Sequence, residues 1–146
     1  MNPRVHALRR LRSLAVGEAV NIPLQAAIWF WWAGLPVSAA NAAGYAVFAL
    51  LLGEGTAYWV AKYVQVSRGL ASLPGAGWFR LAKKVNFVVL AGVFGYTAIA
   101  VAGSPGRAAI PGLVFAMAAI GEQVNYFHLQ LVRGVRRSHL SRDLGR

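Results

Sequence analysis

The stretch VNFVVLAGVFGYTAIAVA, residues 85–102, contains no charged side chain and no regular alternation of polar and apolar residues. A half-buried strand would alternate with a period of two, so the continuous apolar run favours a helix. At 1.5 Å per residue, a helix of this length covers about 27 Å, close to the ~30 Å hydrocarbon thickness of a bilayer. The stretch therefore predicts a transmembrane helix.

Three further apolar blocks of similar length occur, and the predicted spans cover residues 13–33, 40–64, 85–102 and 108–132. Hydrophobic residues make up 58% of the chain and charged residues 13%, whereas a soluble domain has about 25% charged residues. With 146 residues the chain is sized for one domain. We predict an all-α polytopic membrane protein, a single membrane domain over residues 1–146 with four transmembrane helices.

The basic residues of this chain, whose net charge is +11, cluster at the ends of the apolar blocks. They occupy the N-terminal segment, the middle loop 67–84 and the C-terminal tail, whereas Arg107 stands alone in the connections on the other side. The positive-inside rule then places both termini in the cytoplasm, and we expect the chain in the inner (plasma) membrane. Anionic lipid headgroups, not nucleic acid, are the partners that this distribution favours.

Two halves of the sequence resemble each other. Gly53-Glu54 and Gly121-Glu122 occupy the same place in the second and fourth spans, and Tyr58 corresponds to Tyr126. Each half would be a helical hairpin that starts and ends in the cytoplasm. We therefore predict two pseudo-repeated hairpins related by an axis along the membrane normal.

Three of the four acidic residues lie inside apolar blocks, where a carboxylate facing lipid costs roughly 2.5 kcal/mol or more. Helical spacing places each of them on a polar stripe. The stripes comprise Glu18, Asn21 and Gln25 in the first span, Glu54, Tyr58 and Lys62 in the second, and Glu122, Asn125 and Tyr126 with His128 in the fourth. We expect these stripes to face one another around a polar cavity open to the cytoplasm, with Lys62 pairing with Glu18 across helices.

Several functions fit buried carboxylates. A di-iron site would need Glu-x-x-His, but Asn125 follows Glu122 at that spacing, and the chain has no cysteine. We therefore predict no metal and no cofactor. Other interpretations are a glutamate-centred proton or cation transporter, an acid–base enzyme acting on an isoprenoid lipid between aromatic walls, or an accessory subunit without chemistry. Glycine-rich faces would suit a homodimer or a partner membrane protein.

Four segments resemble the GtrA-like family of small four-helix membrane proteins: RSLAVG (12–17), GLPVSAANAAGY (34–45), TAYWVAKY (56–63) and VNYFHLQLV (124–132). The resemblance implies a carrier or accessory protein for polyprenyl-phosphate-linked sugars rather than an enzyme. It implies that cations at the inner face hold the phosphate, while the polar stripes bind sugar hydroxyls. The cations concerned are Lys62, Lys83, Lys84 and Arg133. The substrate-binding residues that we predict are Glu18, Asn21, Glu54, Tyr58, Lys62, Lys84, Glu122, Asn125, Tyr126 and His128.

Overall fold

The computed structural model describes residues 3–125, which form four α-helices and no strand. The first helix, α1, covers Pro3–Ala26 and continues into a π-helical segment at Ala27–Trp32. The other three are α2 at Ala39–Arg68, α3 at Ala76–Gly103 and α4 at Ile110–Val124. The prediction of an all-α protein with four helices is confirmed.

The helices extend beyond the predicted spans at their basic ends. Residues 76–84, assigned to the middle loop by their charge, form the first turns of α3. The connection between α2 and α3 is therefore only 69–75, and Gly69 and Gly75 bound it with φ angles of 66° and 74°. Glycine adopts this left-handed conformation without steric cost, so the chain can leave one helix and enter the next abruptly. The C-terminal part of the predicted fourth span, 126–132, lies outside the described residues.

The second helix is the centre of the bundle, because it packs against α1, α3 and α4. Its residues Val47, Phe48, Leu51 and Leu52 are buried and form most of the core. The other helices add Leu90, Phe115 and Ala119 to this cluster. The Phe115 ring lies among four other aromatic rings, those of Trp29, Phe30, Tyr45 and Phe48.

One buried asparagine joins the two interhelical connections at the end of the bundle where α2 and α4 begin. Asn41 is fully buried, and its Nδ2 donates to the carbonyl oxygens of Pro36 at 2.9 Å and Arg107 at 2.8 Å. Its Oδ1 accepts from the backbone N–H of Gly112 at 2.9 Å. At the opposite end, Arg4 Nη2 donates to the carbonyl oxygen of Ser67 at 2.8 Å. Both ends of the bundle thus carry polar contacts between segments distant in sequence.

Length and hydropathy single out one of these helices. Within residues 3–125, α3 is the one helix both long enough and apolar enough to cross a membrane, while α4 is apolar but shorter. Core helices of soluble proteins pass the same test, so one such helix is weak evidence for a membrane location. The four membrane spans thus stay a prediction.

Candidate functional site

A chain of polar side chains connects α2, α3 and α4. Asn86 of α3 is buried, and its Nδ2 donates to Glu54 Oε2 of α2 at 2.5 Å. The same nitrogen approaches Gln123 Oε1 of α4 at 3.4 Å, and Gln123 Nε2 donates to the carbonyl oxygen of Lys83 at 3.3 Å. Glu54, which the sequence places in an apolar span, therefore faces the neighbouring helix α3 and accepts a hydrogen bond from the Asn86 amide.

Beside these hydrogen-bonded polar side chains, a groove of about 1040 Å³ runs between α3 and α4. Its basic end is formed by the early turns of α3, where Arg80, Lys83 and Lys84 are exposed. Further along α3 the wall becomes apolar, with Phe87 and Phe94 at its surface. Within residues 3–125 the lining is Arg80, Leu81, Lys83, Lys84, Phe87, Leu90, Ala91, Phe94, Ile120, Gln123 and Val124.

The distribution of charge along this groove is that of a site for an amphiphile. Ammonium and guanidinium groups bind phosphate or carboxylate oxygens through charge-assisted hydrogen bonds. The apolar wall would cover a hydrocarbon chain, which gains about 25 cal/mol for each Å² removed from water. Among the described residues that line the groove none is acidic, so this part of the wall does not repel an anionic head. Lys84, predicted from the sequence, lies at its basic end.

Glu18 has a different environment from Glu54. Its Oε1 accepts from Trp59 Nε1 of α2 at 2.7 Å, which ties α1 to α2. Asn21 Oδ1 accepts from Gln25 Nε2 at 3.1 Å, and Gln25 Oε1 accepts from Trp29 Nε1 at 2.8 Å. These bonds link Asn21, Gln25 and Trp29 along their own helix, and they link Glu18 to α2.

Tyr58 and Lys62 have local partners. The Tyr58 ring meets Trp59 and Phe79 edge-to-face, with centroids 5.2 Å and 5.7 Å apart. Lys62 Nζ donates to Gln65 Oε1 at 3.0 Å, one turn further along α2, and not to Glu18 as expected. These two residues belong to the α2 surface, and neither lines the α3–α4 groove.

In α4, Glu122 is half-buried and Asn125 is exposed, whereas Tyr126 and His128 lie outside the described residues. Among residues 3–125, no three His, Asp or Glu side chains lie close enough to hold a metal ion. Glu18 and Glu54 bond to different partners on different helices. The contacts thus divide the predicted acidic stripes into separate sites, and the described wall of the α3–α4 groove consists of cations, apolar groups and Gln123.

Two of the hydrogen-bonded polar residues, Asn86 and Gln123, were not predicted as site residues. Asn86 was visible as a polar residue opening the third span, but nothing in the sequence indicates that it meets Glu54. Gln123 directly follows Glu122 and lies outside the helical spacing of the polar stripe that Glu122 and Asn125 form. The helical rotation that buries Gln123 and leaves Glu122 half-buried depends on how α3 and α4 pack.

No family model, no curated protein and no solved structure matches the chain significantly.

Proposed function

We propose that this chain is a membrane-embedded carrier or accessory protein that holds a lipid-linked, phosphate-bearing substrate in the groove between α3 and α4. The observation that carries the proposal is the groove itself, which has three cations at one end and an apolar wall beyond them. A polyprenyl phosphate, bare or bearing a sugar, has this combination of an anionic head and a long hydrocarbon chain. The resemblance of the sequence to the GtrA-like family agrees with this substrate class.

Exposed apolar surface supports a membrane location. On α3, Phe87, Val88 and Ile99 each expose 70% or more of their surface. At the end of the bundle where α3 ends, Trp31 and Trp32 expose 87% and 85%. Large exposed apolar side chains of this kind suit a membrane or protein contact, and exposed tryptophans are typical of the membrane–water interface.

Single-cysteine labelling tests the proposed topology, because the chain has no native cysteine. Ser72 and Ser104 are exposed in the connections at opposite ends of α3. With both termini in the cytoplasm, a membrane-impermeant maleimide added to intact cells should label Ser104→Cys. Ser72→Cys should react only after the membrane is permeabilised. Equal labelling of both variants in intact cells would overturn this topology.

Lipid binding tests the proposed function. The full chain, purified in detergent, is titrated with a long-chain polyprenyl phosphate and with the uncharged alcohol of the same chain. We expect at least about tenfold tighter binding of the phosphate, the scale of one charge-assisted hydrogen bond of ~1.5 kcal/mol. The variant K83A/K84A should lose most of this preference, since it removes two of the three cations at the groove.

The matched control is R9A/R10A, which removes the same charge from exposed positions on α1, away from the groove. It should keep the preference for the phosphate. Equal affinity for phosphate and alcohol in the unmodified chain would contradict the proposal. The same holds if K83A/K84A and R9A/R10A bind the phosphate equally well.

The contacts of residues 3–125 favour this function over a glutamate-centred transporter. A transporter whose glutamates share one cation would need them side by side, whereas Glu54 bonds to Asn86 and Glu18 to Trp59. An acid–base enzyme would need an acid in the wall of the substrate groove, and the part of that wall formed by residues 80–124 has none.

A further inference from the structure

The side chains of Glu54, Asn86 and Gln123 form a hydrogen-bonded series with a fixed direction. A carboxylate accepts hydrogen bonds and donates none, so Glu54 requires the amide nitrogen of Asn86 to face it. The same nitrogen approaches the Gln123 oxygen, which leaves the Gln123 nitrogen on the other side, toward the carbonyl oxygen of Lys83. The orientation of the Gln123 amide therefore depends on the carboxylate in α2.

Gln123 is also part of the groove wall, beside Lys83 and Lys84. Its amide nitrogen carries two N–H groups, and the hydrogen bonds found within residues 3–125 use one of them, to Lys83. The side chain is 9% exposed and Asn86 is 2% exposed. A donor buried and aligned in this way loses little conformational entropy when it binds a ligand.

We infer that Gln123 donates a hydrogen bond to the anionic head of the lipid in this groove, and that Glu54 and Asn86 are positioning residues that hold its amide in the donor orientation. This assignment rests on the proposed function and adds to it a neutral donor beside the cations. Lysine and arginine attract any anion, whereas an amide of fixed orientation requires an acceptor oxygen at one place. Gln123 thereby favours a compact oxyanion such as a phosphate.

Salt dependence separates the neutral donor from the cations. Phosphate-lipid binding is measured in about 0.01 M and about 1 M salt, between which the screening length falls from ~30 Å to ~3 Å. Gln123→Met keeps the length of the side chain and removes the donor. It should weaken binding about tenfold at both salt concentrations, whereas the loss in K83A/K84A should shrink at high salt.

A second variant, Gln123→Glu, distinguishes loss of the hydrogen-bond donor from a folding defect in Gln123→Met. Gln123→Glu keeps an oxygen for Asn86 and replaces the amide nitrogen by a second oxygen, so it should also bind phosphate lipid more weakly. Size-exclusion chromatography and melting temperature establish that each variant is folded. If both folded variants bind phosphate lipid as tightly as the unmodified chain, the inference is wrong.

A double-mutant cycle tests the positioning role of Glu54. Glu54→Met should weaken binding as much as Gln123→Met, and combining the two should add no further loss, because Glu54 acts through Gln123. Glu54→Gln should restore binding, since its carbonyl oxygen still accepts from Asn86. Additive losses, or failure of Glu54→Gln to bind when folded, would contradict this role.

The two proposals fail in different ways. If the unmodified chain binds polyprenyl phosphate no better than its alcohol, the proposed function fails and this assignment falls with it. If the unmodified chain prefers the phosphate and K83A/K84A abolishes that preference, the function stands. Unchanged binding in the Gln123 variants would then reject the neutral donor alone.

Discussion

Gly44 of α2 and Gly112 of α4 meet backbone to backbone, and neither position has room for a side chain. A Cβ atom on Gly44 would lie 2.7 Å from the carbonyl carbon of Gly112 and 2.8 Å from its Cα. Gly44 and Gly112 are the same number of residues apart in the sequence as Gly53 and Gly121. The crossing therefore joins equivalent positions of the predicted repeat. Small residues at helix crossings permit this close approach in membrane bundles.

This crossing makes alanine at position 44 or 112 destabilising. We expect Gly44→Ala and Gly112→Ala each to cost about 1–3 kcal/mol, because the backbones of α2 and α4 must separate. Gly53→Ala is the matched control in the same helix, since its Cβ would meet nothing within 4 Å. That variant should be neutral or gain up to ~1 kcal/mol from helix propensity. Thermal unfolding followed by circular dichroism measures the difference, and similar melting temperatures for Gly44→Ala and Gly53→Ala would contradict it.

The buried Asn41 is expected to dominate the stability of the end of the bundle where it lies. Asn41→Leu would leave the carbonyl oxygens of Pro36 and Arg107 and the N–H of Gly112 without their partner. An unsatisfied buried polar group costs about 1–3 kcal/mol, and the N–H of Gly112 is such a group. We therefore expect a loss of about 1–3 kcal/mol. Asn41→Asp keeps the acceptor for Gly112 and loses both donors, and it should also destabilise.

A suitable control for Asn41 is Asn21→Leu, because the Asn21 side chain bonds to Gln25 of the same helix. Its loss should stay below about 1 kcal/mol. The comparison uses melting temperatures of folded, monodisperse samples. An Asn41→Asp variant as stable as the unmodified chain would show that the two carbonyl contacts contribute little.

Glu18 is expected to anchor α1 to α2 and not to bind substrate. Trp59→Phe removes the donor to Glu18 and should cost about 1.5–3 kcal/mol, the range for a hydrogen bond to a charged group. Glu18→Gln keeps an acceptor oxygen and should cost less than ~1 kcal/mol, while lipid binding stays unchanged. Loss of phosphate-lipid binding in a stable Glu18→Gln variant would instead show that Glu18 takes part in substrate binding.

The helices were predictable because each follows from local sequence, whereas the site depends on how helices rotate against one another. Continuous apolar runs sufficed to predict four helices. The contact between Glu54 and Asn86, however, joins residues from different helices, and spacing within one helix cannot fix it. Lys83 and Lys84, which form the basic end of the groove, were predicted as cations that hold a phosphate. Their charge, however, led to their assignment to a loop. Their position on α3 places them next to Phe87 and Gln123.

The apolar wall of the groove predicts that affinity depends on the length of the lipid chain. Phe87 and Phe94 are two turns apart on α3, about 10 Å along the axis, and both are exposed. Each buried methylene contributes up to ~0.8 kcal/mol, so affinity should rise as phosphates of increasing chain length fill the groove. The double variant F87A/F94A should flatten this increase and leave binding of the shortest phosphate unchanged. Ile99→Ala is the control, because Ile99 is 75% exposed on the same helix and outside the groove. An unchanged dependence on chain length in F87A/F94A would mean that the hydrocarbon chain lies elsewhere on the protein.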